Sequence, residues 1–380
     1  MDIGDFNARA FDQTAGSTGR TDKGRTDNLR IAVVGCGYWG AKHVRVLSGL
    51  RSVHEVSIVD PDPLARAMIR SAFPAAQAFT DLTAALPHID AVVVATPPST
   101  HFDVASMALR HGKHVLVEKP LATSLAQAQR LVNEARSADR VLMVGHTFLF
   151  VPAVRELKRR LDRNELGTVH YIHSARLNLG LYRPDVNVVW DLAPHDITIM
   201  NYLLGSLPTT VSAWGASLTC KDVEDVAYIR LDYRHLGISG YCHLSWLDPR
   251  KARTLTVVGG RKMAVYDDLA DERLRIFDCG VKGSGMDTAP HERPLSYRYG
   301  DIVSPHIVAQ EPLALEDQHF IDCIRGTAVP EAPGSDGVAI VAILEAIDCS
   351  LKANTVVEVH YPDEGRRAAE AVLHSQAMVG

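Results

Sequence analysis

The stretch RIAVVGCGYWG, residues 30 to 40, decides how the rest of the chain is read. Its first half is a short run of apolar and β-branched residues, as in a strand buried on both faces. Its second half spaces Gly35, Gly37 and Gly40 as G-x-G-x-x-G, and the following AKHVRVLSGL carries a helical pattern. Strand, glycine turn and helix in that order are the fingerprint of a dinucleotide site. The glycines permit the tight turn, the approach of backbone to a pyrophosphate, and close packing of helix on sheet. Backbone N–H groups at the helix N-terminus, around Tyr38 and Trp39, then face the diphosphate. The plainer reading of the same glycines is a structural turn, and spacing alone does not separate the two.

The next strand-like run, EVSIVD, ends at Asp60. An acid there bonds the adenosine ribose hydroxyls and repels a 2'-phosphate, so NAD is expected as cofactor over NADP. Arg66 nearby leaves NADP open, and Asp60 also begins the turn Asp60-Pro61-Asp62-Pro63. Three further strand-like runs, AVVVATP, HVLVEKP and VLMVGH, alternate with helical patterns as far as residue 147. Such alternation means a parallel sheet covered on both faces, a doubly wound Rossmann unit. In the segment after AVVVA, Thr96, Pro97 and His101 lie on the carboxyl edge, where ligands of such sheets bind. The prolines there also serve simply to stiffen a loop.

Beyond Val151 the period changes. In VAYIRLDY, Ala227, Ile229, Leu231 and Tyr233 fall on one side and Tyr228, Arg230 and Asp232 on the other. That is the period of a sheet with one solvated or docked face, and its neighbours VHYIHSARLNL, TTVSAWGASL, ISGYCHLSWL and ARTLTVVGG look alike. The expected architecture is therefore α/β: a Rossmann unit over residues 29–150, then an α+β unit over 151–361 with a largely antiparallel open sheet. Late helices within 313–354 are expected to pack back on the first unit. Residues 1–28 and 362–380 read as tails, the first rich in Gly, Ser, Thr, Asp and Arg.

Composition narrows the functional classes. The formal charge of -5 and a pI near 6.4 give no basic field for a phosphate backbone, so nucleic acid is not an expected partner. No apolar run approaches the roughly 20 residues of a membrane span. Six scattered cysteines, without a CxxC pair or metal-ligand spacing, read as reduced thiols of a cytoplasmic protein, and no metal is expected.

Two segments carry candidate chemistry. Glu118-Lys119-Pro120 ends a strand at the carboxyl edge, where a lysine beside the nicotinamide would hold a substrate oxygen and offset alkoxide charge. In VVWDLAPHDI, Asp191 and His195 stand four apart and share a face if the helix starts near Asp191, after a strand-like Val188-Val189-Trp190. Pro194 is tolerated in a first turn, which makes Asp191 the N-cap or close to it. On that reading Asp191 is only a cap and His195 a core histidine. The alternative is an orienting acid and a general base titrating near neutral pH.

Taken together, RIAVVGCGYWG, ATPPSTH, VEKPLATS, WDLAPHD and the late EPLALEDQHFIDCIRG resemble the Gfo/Idh/MocA oxidoreductases, over about residues 29 to 361. The resemblance implies Lys119, Asp191 and His195 as a catalytic triad for hydride transfer at a sugar or cyclitol carbon. It also implies an open sheet that packs in homodimers or homotetramers. Many members carry glycines where this chain has Val188-Val189-Trp190, so Trp190 is a candidate to reshape the pocket or stack on substrate. Between the units, Arg176 and Arg183 are candidates for a diphosphate and Asn178, Tyr182 and Asn187 for sugar hydroxyls, or all are solvated loop residues. The pattern YRPDVNVVWDLAPHD is similar to the branch acting on nucleotide-linked sugars, with free-sugar or inositol dehydrogenation as the alternative. A dinucleotide-binding regulator and a glycosidase with transient oxidation at C3 are rivals from other classes.

Overall fold

In the computed structural model, residues 28–180, 186–282 and 296–362 are described. Both expected tails lie almost wholly outside them, as do Tyr182 and Arg183. The first sheet contains β1 (Leu29–Val34), β2 (Val53–Val59), β3 (Gln77–Phe79), β4 (Ala91–Val94), β5 (His114–Glu118) and β6 (Leu142–Gly145), all parallel in the order β3-β2-β1-β4-β5-β6. Helices α1 (Tyr38–Gly49), α2 (Pro63–Ala72), α3 (Leu82–Ala85), α4 (Pro98–Arg110) and α5 (Leu125–Ala138) connect the strands. Strand order reverses between β1 and β4, and there the glycine loop and the Thr96-Pro97 loop leave the sheet side by side. A crevice at that reversal is where open α/β sheets take ligands.

The second sheet follows α6 (Pro152–Asp162) and runs through β7 (Val169–Leu179), α7 (Val188–Leu204), β8 (Thr210–Ala216), β9 (Val226–Tyr233), β10 (Ile238–Ser245), β11 (Leu247–Gly259), β12 (Met263–Asp267) and β13 (Leu274–Phe277). A small ribbon, β14 (Gly280–Lys282) with β15 (Ser296–Arg298), precedes the edge strand β16 (Ile302–Val303), and β17 (Val357–Glu358) closes the far edge. The nine-stranded order is β16-β13-β12-β11-β7-β10-β9-β8-β17, antiparallel except that β7 and β10 run parallel. Helix α7 covers one face against β7, β9 and β10. The other face presents the exposed rings of Tyr171, Trp214, Tyr228 and Tyr241. The last helices, α8 (Pro312–Ile324) and α9 (Gly334–Ala353), pack on α1 and on α5 and β6 respectively.

Helix α7 departs from the sequence expectation. Val188, Val189 and Trp190 are its first turn rather than the end of a strand, and the cap is Asn187, whose side chain accepts the Trp190 N–H at 3.1 Å. Their β-propensity is overridden because all three are buried, a case of packing outweighing an intrinsic preference. Pro194 consequently lies inside the helix, where it cannot donate to the Trp190 carbonyl.

Candidate active site

The glycine loop is built as a cradle. Gly35 sits at φ 96°, and a Cβ there would lie 2.6 Å from Ala95 O. At Gly40 a Cβ would fall 1.8 Å from Gly35 O, so α1 starts as close to the turn as backbone allows. At Gly37 the opposite holds: the backbone is extended, no side chain caps the helix, and a Cβ would meet nothing within 4 Å. First-turn N–H groups without a side-chain cap, beside a glycine whose Cβ position is open, fit a diphosphate. Asp60 closes the loop from the side, accepting the Cys36 N–H at 2.7 Å on one oxygen and the Asp62 N–H at 2.8 Å on the other. Arg66 donates to the Asp60 carbonyl, not to a site for phosphate. Tyr38 and Trp39 turn outward, with the Lys42 ammonium over both rings.

His101 is a correction. It is 1% exposed, and its two nitrogens lie 2.7 Å from Pro120 O and 2.9 Å from Thr96 O. It therefore ties the Thr96-Pro97 loop to the loop after Glu118 instead of reaching the cofactor. Pro97 caps α4, and Thr96 takes the Thr100 hydroxyl at 2.8 Å.

The three residues expected to do chemistry converge. Lys119 follows β5 directly, and its Nζ donates to the Asp191 carbonyl at 2.7 Å and lies 3.6 Å from Asp191 Oδ1. That carbonyl is next to the one Pro194 leaves without a helical donor, so the proline loosens the ladder where the lysine docks. Asp191 Oδ2 also accepts the Trp246 indole N–H at 3.2 Å. His195, one turn on, packs edge to face against Phe148 at 4.9 Å, and its Nδ1 is buried without a hydrogen-bond partner among the described residues. Burial, then the positive charges of Lys119 and Arg176, hold its pKa well below the ordinary imidazole range. His195 is thus neutral at pH 7, though not by titrating near neutrality as the sequence suggested.

Of these groups His195 borders a cavity of about 310 Å³ between the two sheets, with Glu118, Phe148, Asn178 and Leu192 also among its walls. Its rim holds cations that sequence reading passed over: Lys42, Lys251, Arg253 and Arg273. Lys251 and Arg253 are alternate residues of β11 and so share a face, a signal that was present in KAR. Arg253 lies 3.4 Å and Arg273 3.9 Å from Asp268, at exposures where an ion pair is weak and exchangeable.

Three substrate candidates are committed to partners within the protein. Arg176 reaches the cavity wall, but its guanidinium grips Asp196 at 2.9 Å in a buried pair and lies over Phe148, so it is not available to a diphosphate. Asn187 is spent on capping α7 and on Glu224 at 2.9 Å. Trp190 is buried, its indole N–H on Asp348 at 2.7 Å, and does not stack on substrate.

Residues 29–146 match the GFO/IDH/MocA oxidoreductase family with its NAD-binding Rossmann fold, and residues 154–265 match a GFO/IDH/MocA C-terminal domain. A UDP-N-acetylglucosamine 3-dehydrogenase of Acidithiobacillus ferrooxidans is 31% identical over 331 residues, which is 84% of this chain and 99% of that protein. A scyllo-inositol 2-dehydrogenase (NAD(+)) of Bacillus subtilis is 28% identical over 257 residues, 64% of this chain and 70% of that one. Among solved structures, GenD2 from gentamicin A biosynthesis in complex with NAD superposes with a TM-score of 0.74 at 24% identity, covering 92% of this chain and 100% of that chain, a likeness of fold.

Proposed function

The chain belongs to the GFO/IDH/MocA family of NAD-binding oxidoreductases, and from that premise we propose that it oxidises, or in reverse reduces, a secondary alcohol carbon of a nucleotide-linked sugar, C3 by our reading. The observation that carries this is the cavity itself: a neutral imidazole in its wall, one helical turn from the Asp191 that holds Lys119, and unburied cations at its rim. Lys251, Arg253 and Arg273 suit a diphosphate, which charge-assisted hydrogen bonds recognise well. The likeness to the UDP-N-acetylglucosamine enzyme supports the same substrate class.

NAD, when bound, supplies the hydride acceptor. His195 takes the hydroxyl proton, which its unprotonated state at pH 7 permits. Lys119 stabilises charge developing on the reacting oxygen. Asp191 anchors Lys119 through its carbonyl and orients either the imidazole or a neighbouring hydroxyl of the sugar. Gly35, Gly37, Gly40 and Asp60 hold the dinucleotide, with Thr96 and Pro97 beside it. The aromatic face of the second sheet is the surface on which copies associate, as homodimer or homotetramer, and six unpaired thiols suit the cytoplasm.

The test is a panel of UDP-, GDP- and dTDP-sugars beside free sugars and inositols, each incubated with protein and NAD while NADH absorbance is followed. Turnover of a nucleotide sugar above its free counterpart supports the proposal. Turnover of an inositol alone would replace it with the cyclitol reading.

A further inference from the structure

Between α1, the end of β5 and α8 lies a group of ionisable side chains that the hydride-transfer reading leaves unused. His43 of α1 is 0% exposed, and each of its ring nitrogens faces a carboxylate: Nδ1 lies 2.9 Å from Asp317 Oδ1, and Nε2 lies 3.2 Å from Glu118 Oε1. Two acceptors on one ring require both nitrogens to carry hydrogen, or one carboxyl to hold the second. Burial alone would strip the ring of charge, but Asp317 and Glu118 outweigh it and keep the His43 pKa well above its usual value. The other oxygen of Glu118 accepts the Lys119 backbone N–H at 3.2 Å. An unbroken series of contacts therefore runs from Asp317 through His43 and Glu118 to Lys119, whose ammonium docks on Asp191.

Helices α1 and α8 share one apolar cluster through Val44, Leu47, Phe320 and Ile321, and apolar residues of equal volume in place of buried ions often leave a protein as stable or more so. The end point of the series accounts for its make-up. Glu118 forms part of the cavity wall, so losing the donor on Oε1 would let its carboxylate turn, and the amide it holds belongs to Lys119. A histidine pinned by a carboxylate at one nitrogen is a general means of fixing what the other nitrogen touches. We propose that His43 and Asp317 are positioning residues which, through Glu118, fix Lys119 at the reacting oxygen. This rests on the reading of Lys119 given above.

Two substitutions at one position test it. Glutamine places an amide N–H near the site of Nε2 and keeps a donor for Glu118, whereas asparagine reaches only the site of Nδ1 and keeps Asp317 alone. His43→Asn is expected to lower kcat between about 10- and 100-fold with KM for NAD and sugar unchanged, as a shift of about 1 Å at a reacting group can do. His43→Gln is expected to lose less. A readout free of substrate is the carbon-13 resonance of methylated Lys119 in the NAD-bound protein, identified with Lys119→Arg. It should move in His43→Asn and stay near the parent position in His43→Gln.

A merely structural role would lower Tm in both variants with no such order in kcat or in the resonance, and that result overturns the proposal. Should His43→Asn fail to fold, Asp317→Ala against Asp317→Asn decides the same point, since asparagine still braces Nδ1 and should retain more kcat. Lys119→Ala separates the two claims. Full turnover there overturns the reading of Lys119 together with this proposal, whereas equal kcat for the two His43 variants, in an enzyme that needs Lys119, overturns this proposal alone.

Discussion

Gly37→Val should separate cofactor binding from folding. Gly37 lies at φ −74°, a value open to any residue, and a Cβ there meets no heavy atom within 4 Å. The folded protein should therefore lose no more than about 1 kcal/mol, the cost of a poor N-cap residue. The added side chain fills the space a pyrophosphate must enter to reach the first-turn N–H groups of α1. Losing two hydrogen bonds to a charged group, at about 1.5–3 kcal/mol each, amounts to about 3–6 kcal/mol, or a Kd for NAD raised roughly a hundred- to ten-thousand-fold. Calorimetric titration with NAD and thermal unfolding of the same sample measure both quantities. Gly40→Ala is the contrast: its Cβ would meet Gly35 O at 1.8 Å, so Tm and affinity should fall together. A Gly37→Val protein that binds NAD as the parent does, or that melts as early as Gly40→Ala, would refute the assignment of this space to the cofactor.

Because burial and the nearby cations hold His195 well below the usual imidazole pKa, kcat/KM should stay level through neutral pH and fall only in acid. An acid limb near 6.5 would count against His195 as the base. His146, 2% exposed, is pushed down to about 4 by burial, so the native state excludes a proton that the unfolded chain accepts near 6.5. Its contribution is complete above that pH and is lost as pH falls towards 4, by about 3 kcal/mol. Urea unfolding at pH 7 and 4.5 should show the loss, and His146→Gln should remove that share of it. Arg253→Ala should raise KM for a nucleotide sugar at least about tenfold, one charge-assisted bond being worth that much, with little change for the free sugar. An equal effect on both would remove Arg253 from diphosphate recognition. Trp190→Phe should leave KM and kcat unchanged while costing about 1–3 kcal/mol of stability, since Asp348 loses one of its donors.

What the sequence disclosed, and what it hid, divides along the range of the interactions involved. Strand β4 is apolar through its length, and β1 and β5 carry apolar runs, IAVV and VLV, because helices cover both faces, so the parallel sheet could be read directly. The glycine turn was legible because its parts are neighbours in sequence: Gly35 and Gly40 answer backbone needs within the turn itself, and Gly37 leaves the space beside it open. The start of α7 was not, because Val188, Val189 and Trp190 favour a strand and only burial on a folded sheet reverses that. Arg176 looked available to a ligand because its partner Asp196 sits one helix away, a pairing that exists only once α7 lies across β7. His43 and Asp317 are separated by 274 positions, and nothing local to either marks the contact. The cations of the rim were on view at alternate positions of β11, and the strand period alone would have found two of them.

The edge of the first sheet bears on how the molecule is made. Val144 of β6 donates its N–H to Ala332 O at 2.9 Å, and Met143 bridges to Pro333, so the late chain seals a strand laid down far earlier. Gly334 and Gly337 let α9 press onto that strand, since a Cβ at either would strike Leu142 or Val144. On the ribosome, the nucleotide-binding half emerges first and yet waits, with an open hydrogen-bonding edge, for a lid synthesised near the end. Its exposure to chaperones and to mispairing with a neighbouring nascent chain therefore lasts while about half of the chain is made, from Gly145 to Ala332. Cutting the gene after β6 should yield not a compact cofactor-binding module but a sheet with an adhesive border.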